Sequence, residues 1–142
     1  MLTWLLNHDA KASRQTIKQA VLRGTPVSTM ALLVEKGGVA ALKDSCALQL
    51  AAGRDERDMV EFLLQVGADV EEMLAQLGDI CEPGPFTALY KAVQGRHVKT
   101  IKLLLEHGAM VDTPCGWPTW QKETPLQTAR RRNNSQIVNL LE

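Results

Sequence analysis

Aromatic residues are scarce in this chain, at 4%: two Phe, one Tyr and three Trp. A core built on large rings is therefore excluded, and thin helices packing through Ala and Leu fit instead. Net charge is missing too, with 16 Lys and Arg against 16 Asp and Glu. That balance argues against a general nucleic-acid or membrane binder, while leaving local patches open. Three cysteines occur without a C-x-x-C spacing, as expected of free thiols in a reducing compartment. There is no long apolar run. The opening MLTWLL is followed at once by His8 and Asp9, too soon for a signal peptide or a membrane span. The expected location is intracellular, cytoplasmic or nuclear. No Gly-rich phosphate loop is present, and no pair among Cys46, Cys81, Cys115, His8, His97 and His107 has metal-ligand spacing. Neither a cofactor nor a metal is expected. What remains is a chain of 142 residues, 45% hydrophobic, long enough for one domain with a real core.

Within it, residues 87–112, TALYKAVQGRHVKTIKLLLEHGAMVD, read as two short amphipathic helices with their punctuation. Thr87 can act as an N-cap, Ala88, Leu89, Ala92 and Val93 make a first apolar face, and Gly95-Arg96 interrupts the period as a tight turn would. Val98, Ile101, Leu104 and Leu105 then recur at helical spacing, and Gly108 supplies a left-handed ending. Each helix is only about two turns long, below the roughly 12 to 15 residues an isolated helix needs, so its stability must come from neighbours.

The pattern recurs. TALYKA at Thr87 has counterparts in QTIKQA from Gln15, CALQLA from Cys46 and TPLQTA from Thr124. Second-helix endings follow in step: ALLVEKGG from Ala31, FLLQVGAD from Phe62 and LLLEHGAM from Leu103. On these residues the chain resembles the ankyrin-repeat family, whose signature is a T-P-L-H-x-A hexamer opening the first of two antiparallel helices, then V-x-L-L-L-x-x-G-A and a hairpin loop. The resemblance covers nearly all 142 residues. It implies an all-α fold, a solenoid of stacked helix-turn-helix units.

The expected organisation is a single domain over residues 1–142: an N-terminal half-repeat or cap (1–12), a degenerate repeat (13–45), a repeat with a loop insertion (46–86), a repeat with a tryptophan loop (87–123) and a truncated repeat or cap (124–142). The opening half-repeat is either a natural cap with Trp4 over Ile17 and Ala20 or the remnant of a longer array. Hexamers are spaced by 31, 41 and 37 residues against a family unit of about 33, so two hairpin loops carry insertions. The first insertion opens with helical character in EEMLAQLG from Glu71. In the Gln15 repeat, Ala20, Val21 and Leu22 should lie inside and Met30, Leu32 and Leu33 on the outer helix, which Gly37 ends one residue late. Leu63 and Leu104 should be buried between repeats. The family's hexamer histidine is replaced by Lys18, Gln49, Tyr90 and Gln127, so its polar clasp should be missing or altered.

Members of the family mostly hold other proteins with loop tips and first-helix faces. In that register the surface positions fall on Gln19, Arg23, Leu50, Arg54, Lys91, Arg96, His97, Arg131 and Arg132, a mostly basic set, and the loop tips on Phe86, Trp117 and Trp120. Rings beside guanidinium groups are what binding hot spots favour. The leading expectation is a monomeric, non-catalytic module that binds a protein or peptide, acidic or amphipathic, through Arg23, Arg54, Phe86, Lys91, Arg96, His97, Trp117, Trp120 and Arg131. The tryptophans either plug a neighbouring repeat or meet the partner. The alternative is a structural or regulatory segment of a larger multidomain protein. An enzyme comes third: Cys46 stands where the family has a buried Thr, and Cys81 and Cys115 fall in the insertions as exposed thiols.

Overall fold

A computed structural model describes residues 13–43, 45–73, 85–116 and 122–142. The expectations placed on Trp4 and the opening helix, His8, Cys81, the second half of EEMLAQLG, Trp117 and Trp120 lie outside these residues; Glu71–Met73 themselves are non-helical. The described chain contains α1 (Arg14–Leu22), α2 (Val27–Gly37), a single 3-10 turn (Val39–Ala41), α3 (Ala47–Gly53), α4 (Arg57–Gln65), α5 (Ala88–Gly95), α6 (Val98–Glu106), α7 (Pro125–Arg131) and α8 (Ser135–Leu141). Consecutive helices pair, α1 with α2 through to α7 with α8. The first members stack as one layer, α1 on α3 on α5 on α7, and α2, α4 and α6 stack as another.

Local sequence explains each boundary. Ser13, Thr87 and Thr124 cap α1, α5 and α7, their hydroxyl oxygens accepting from the N–H groups of Thr16, Tyr90 and Gln127. At α3 the cap position is Cys46, which cannot do this, and Ser45 Oγ accepts from Ala47 N–H instead. Every first helix ends the same way. The last Ala of each hexamer, Ala20, Ala51, Ala92 and Ala129, accepts at its carbonyl from the N–H of Thr25, Glu56, His97 and Asn134. The residue just before each donor is left-handed: Gly24, Asp55, Arg96 and Asn133, with φ of 69°, 57°, 60° and 52°. Asp and Asn tolerate that conformation, whereas Arg96 bears its cost of about 1 kcal/mol. The Gly-Ala endings close α4 and α6 likewise, Ala68 N–H donating to Leu63 O and Ala109 N–H to Leu104 O.

Small residues let the first helices approach closely. Ala51, Ala52, Ala88 and Ala92 are buried where α3 meets α5, while Met30, Leu33, Val60, Leu63, Ile101, Leu104 and Ile137 fill the space towards the second layer. Two expectations need correction. Leu22 is only half-buried, unlike Ala20 and Val21; on α2, Met30, Leu33 and Val34 share the buried helical face and Leu32, 47% exposed, does not. The left-handed glycine after α2 is Gly38, and Gly37 is still helical. α2 is 11 residues long against nine in α4 and α6.

The clasp is altered repeat by repeat. Gln127 restores it: its Oε1 accepts from Thr124 N–H at 3.0 Å while its own N–H donates to Thr124 Oγ1 at 3.1 Å. Gln49 turns elsewhere and donates to Glu72 O at 2.7 Å, and its buried Oε1 has no partner among the described residues.

Candidate functional site

Phe86, Tyr90 and Gln94 follow each other at four-residue spacing from the entry to the end of α5, and Glu123, Gln127 and Arg131 do the same along α7. All of the first row and, from the second, Glu123 and Arg131 line a shared cleft of about 630 Å³, together with Gly116 and Lys122. Its apolar wall is a stacked pair, with the Phe86 and Tyr90 ring centroids 5.3 Å apart and the planes inclined by 21°. Lys91 Nζ lies 4.3 Å from the Phe86 centroid, within reach of a cation–π contact.

The second insertion is anchored at this cleft. Cys115 and Glu123 exchange two backbone hydrogen bonds of 2.9 Å as an isolated antiparallel bridge, and Gly116 N–H donates to Pro85 O at 3.0 Å. Cys115 is fully buried, against the expectation of an exposed thiol. Its Sγ sits 3.7 Å from Thr87 Oγ1, directly under the cap of α5. Burial raises its pKa above the ordinary 9.0, with hydrogen bonds from Thr87 acting in the opposite sense. Glu123 then reaches α7. Its carboxylate meets Arg131 through Oε1 to Nε at 2.9 Å and Oε2 to Nη2 at 3.1 Å, and accepts from Thr128 Oγ1 at 3.0 Å.

The other predicted residues lie along the edge made by the inter-helix turns. Arg54 pairs with Glu56 at 2.8 Å. His97 Nε2 is 3.1 Å from Gly53 O, and Nδ1 is 3.9 Å from Asp55 Oδ2, whose other oxygen accepts from Thr100 Oγ1 at 2.7 Å. One repeat later, Arg132 Nη1 donates to Gln94 O at 2.7 Å. Gly53 and Gln94 occupy equivalent places at the ends of α3 and α5, so each open carbonyl is met by a side chain of the next repeat. His97, Arg132 and Arg54 are therefore engaged in holding turns together. Arg23 and Arg96 are exposed and make no ion pair among the described residues.

Of the nine residues named from sequence, the fold brings Phe86, Lys91 and Arg131 to one cleft and its rim. It puts Arg54, Arg96 and His97 on the turn edge and leaves Arg23 in the first repeat. Trp117 and Trp120 lie outside the described residues; in sequence they fall between Gly116 and Lys122, which line the cleft. Sequence reading missed Tyr90, Gln94, Lys122 and Glu123. The four-residue spacing from Phe86 signalled the first two. Nothing in the sequence paired Glu123 with Cys115. It also missed Glu71, whose carboxylate oxygens accept from Met110 N–H at 2.7 Å and Thr113 Oγ1 at 2.8 Å and so tie successive hairpin loops together.

The family model for ankyrin repeats in three copies matches residues 70–142, and the single-repeat model matches residues 43–73. This chain belongs to the ankyrin-repeat family. It is 35% identical over 91 residues to Ankyrin repeat and SOCS box protein 11 of Mus musculus, which covers 64% of this chain and 24% of that protein. Over 55 residues it is 42% identical to BRCA1-associated RING domain protein 1 of Caenorhabditis elegans, covering 39% of this chain and 7% of the relative. Over 72 residues it is 35% identical to Inversin of Danio rerio, covering 50% and 6%. The chain thus spans less than a quarter of the length of these relatives. Ankyrin repeats serve in general as protein–protein interaction modules and are typically non-catalytic. No described helix is long and apolar enough to cross a membrane.

Proposed function

We propose that this ankyrin-repeat chain acts as a single, monomeric, non-catalytic domain that binds a protein or peptide, acidic or amphipathic in character, inside the cell. The first-helix face and loop tips provide the surface, with Phe86, Lys91 and Arg131 at its centre, Trp117 and Trp120 on the adjoining loop, and Arg23, Arg54, Arg96 and His97 along the turn edge. The observation that carries this reading is the cleft between α5 and α7, where a stacked ring pair, a guanidinium group and the roots of a tryptophan-bearing loop converge. Stacked rings offer large area at small entropic cost, and a central aromatic is the usual anchor of an interface.

The test is capture of partners from the source cells by the intact chain, by Phe86→Ala and by Trp117→Ala/Trp120→Ala, after checking that all three melt alike. A partner held by the intact chain and weakened by about 2 kcal/mol, roughly 30-fold, in either variant is the expected result. Equal retention by all three removes the cleft and its loop from the interface. A second reading, a spacer or regulatory segment of a larger protein, is supported by the small share of each relative that this chain covers. It becomes the better one when no partner is retained at all.

A further inference from the structure

The neutral chain is electrically divided. Residues 87–142 carry 8 Lys and Arg against 4 Asp and Glu, net +4, whereas residues 1–86 carry 8 against 12, net −4. The α5–α7 cleft lies in the basic part, and the carboxylate lining it, Glu123, is spent on Arg131. Lys122, on the same wall, is exposed and makes no ion pair among the described residues. Arg131 keeps 60% of its side chain exposed while Glu123 keeps 31%, and a pair this open to water is held weakly. The two differ in freedom. Glu123 is fixed through its backbone to Cys115, whereas Arg131 is the last residue of α7 and reaches the cleft on a long side chain.

We infer that the α5–α7 cleft binds an acidic segment carrying an apolar side chain, and that Glu123 is a built-in competitor for it: a partner Asp or Glu takes Arg131 from Glu123 while the apolar side chain lies against Phe86. The inference rests on the protein-binding function proposed above and assigns the chemistry of the ligand. An incoming carboxylate exchanges one bidentate pair for another and gains Lys122 besides. A neutral segment has nothing to offer Arg131 and leaves the internal pair closed. A basic segment meets Lys122 and Arg131 together. Glu123 thereby sets a threshold that only acidic ligands cross, which is discrimination by a repulsive or pre-occupied element rather than by added contacts.

The probe is a displayed library of short random peptides selected on the full chain, with the enriched peptides then titrated by fluorescence anisotropy. Expected is a pool rich in Asp and Glu with a Phe, Trp or Leu. Such peptides bind Glu123→Gln about threefold to fivefold tighter, the scale of a half-exposed ion pair. Gln keeps an acceptor for Thr128 while releasing the guanidinium. Arg131→Gln weakens them about tenfold, as loss of a bidentate charge-assisted contact should. Lys102→Gln on α6 removes the same unit of charge from the other layer and leaves affinity unchanged. Melting temperatures confirm that each variant folds, and Lys122→Glu, on an exposed side chain, weakens binding as an independent check. Acidic peptides indifferent to Glu123→Gln, or equally weakened by Lys102→Gln, overturn the inference. A pool without acidic excess that is still lost in Phe86→Ala overturns it too, and leaves the protein-binding function standing. An empty pool counts against both. Concentration-dependent association of the chain at low salt, abolished by Arg131→Gln, also overturns it: the occupant would be the acidic part of a second copy.

Discussion

Cys115 shows how one residue can look free in sequence and be structural in the fold. It sits in a Pro- and Gly-containing insertion, yet it is fully buried beneath the Thr87 cap and forms half of the bridge that closes the loop. Its thiol pKa is raised mainly by burial. The sign of the consequence follows. Below the ordinary value of 9.0 the thiol is protonated in both folded and unfolded chains and costs nothing. As pH rises past it, the unfolded thiol ionises and the folded one does not, so stability falls until the folded thiol ionises as well. Denaturant titrations at increasing alkaline pH should show this loss, and Cys115→Ala should flatten it. An unchanged slope in that variant would assign the loss to other groups.

At the scale of the element, the turn between α5 and α6 depends on what Gly95 lacks. Its backbone is helical, so alanine would suit the conformation, but a Cβ there would collide with the His97 ring. That ring is the group that reaches Gly53 O in the preceding repeat. Gly95→Ala alone should gain up to about 1 kcal/mol of helix propensity and lose about as much through the displaced hydrogen bond, for little net change. In a His97→Ala background only the gain remains, and the same substitution should stabilise by about 0.5 to 1 kcal/mol. A double-mutant cycle by thermal or urea melting measures the difference. Strict additivity would mean that the ring and the glycine are not coupled.

For the molecule as a whole, stability resides in contacts between repeats, because no helix among the described residues exceeds 11 residues. Leu104 is completely buried, whereas Leu32, another leucine of an outer helix, is 47% exposed. Leu104→Asp forfeits about 1.5 to 3 kcal/mol of apolar burial and strands a charge, enough to unfold much of the array. Leu32→Asp should stay within about 0.5 kcal/mol of the parent. Helical circular dichroism across a melt distinguishes them. A parental melt for Leu104→Asp would mean that the repeats do not rely on one another.

The repeat unit, the helix pairs and the Gly-Ala endings of α4 and α6 were legible in the sequence because they are local. A capping hydroxyl, an Ala four residues before a left-handed residue and a Gly-Ala ending each act within one turn of chain, and the spacings of 31, 41 and 37 residues that separate the hexamers also separate Gly24, Asp55, Arg96 and Asn133. Phe86, Lys91 and Arg131 were likewise named from register alone. What only the tertiary structure decided is which polar groups find each other across repeats. Cys115 with Glu123, Glu123 with Arg131, Glu71 with Thr113 and His97 with Gly53 join different segments of chain. Such pairings depend on how far each insertion folds back onto its neighbour, and no helical period encodes that distance. The same pairings divide the basic residues into those that hold the array together, such as Arg132 and His97, and those that face the cleft.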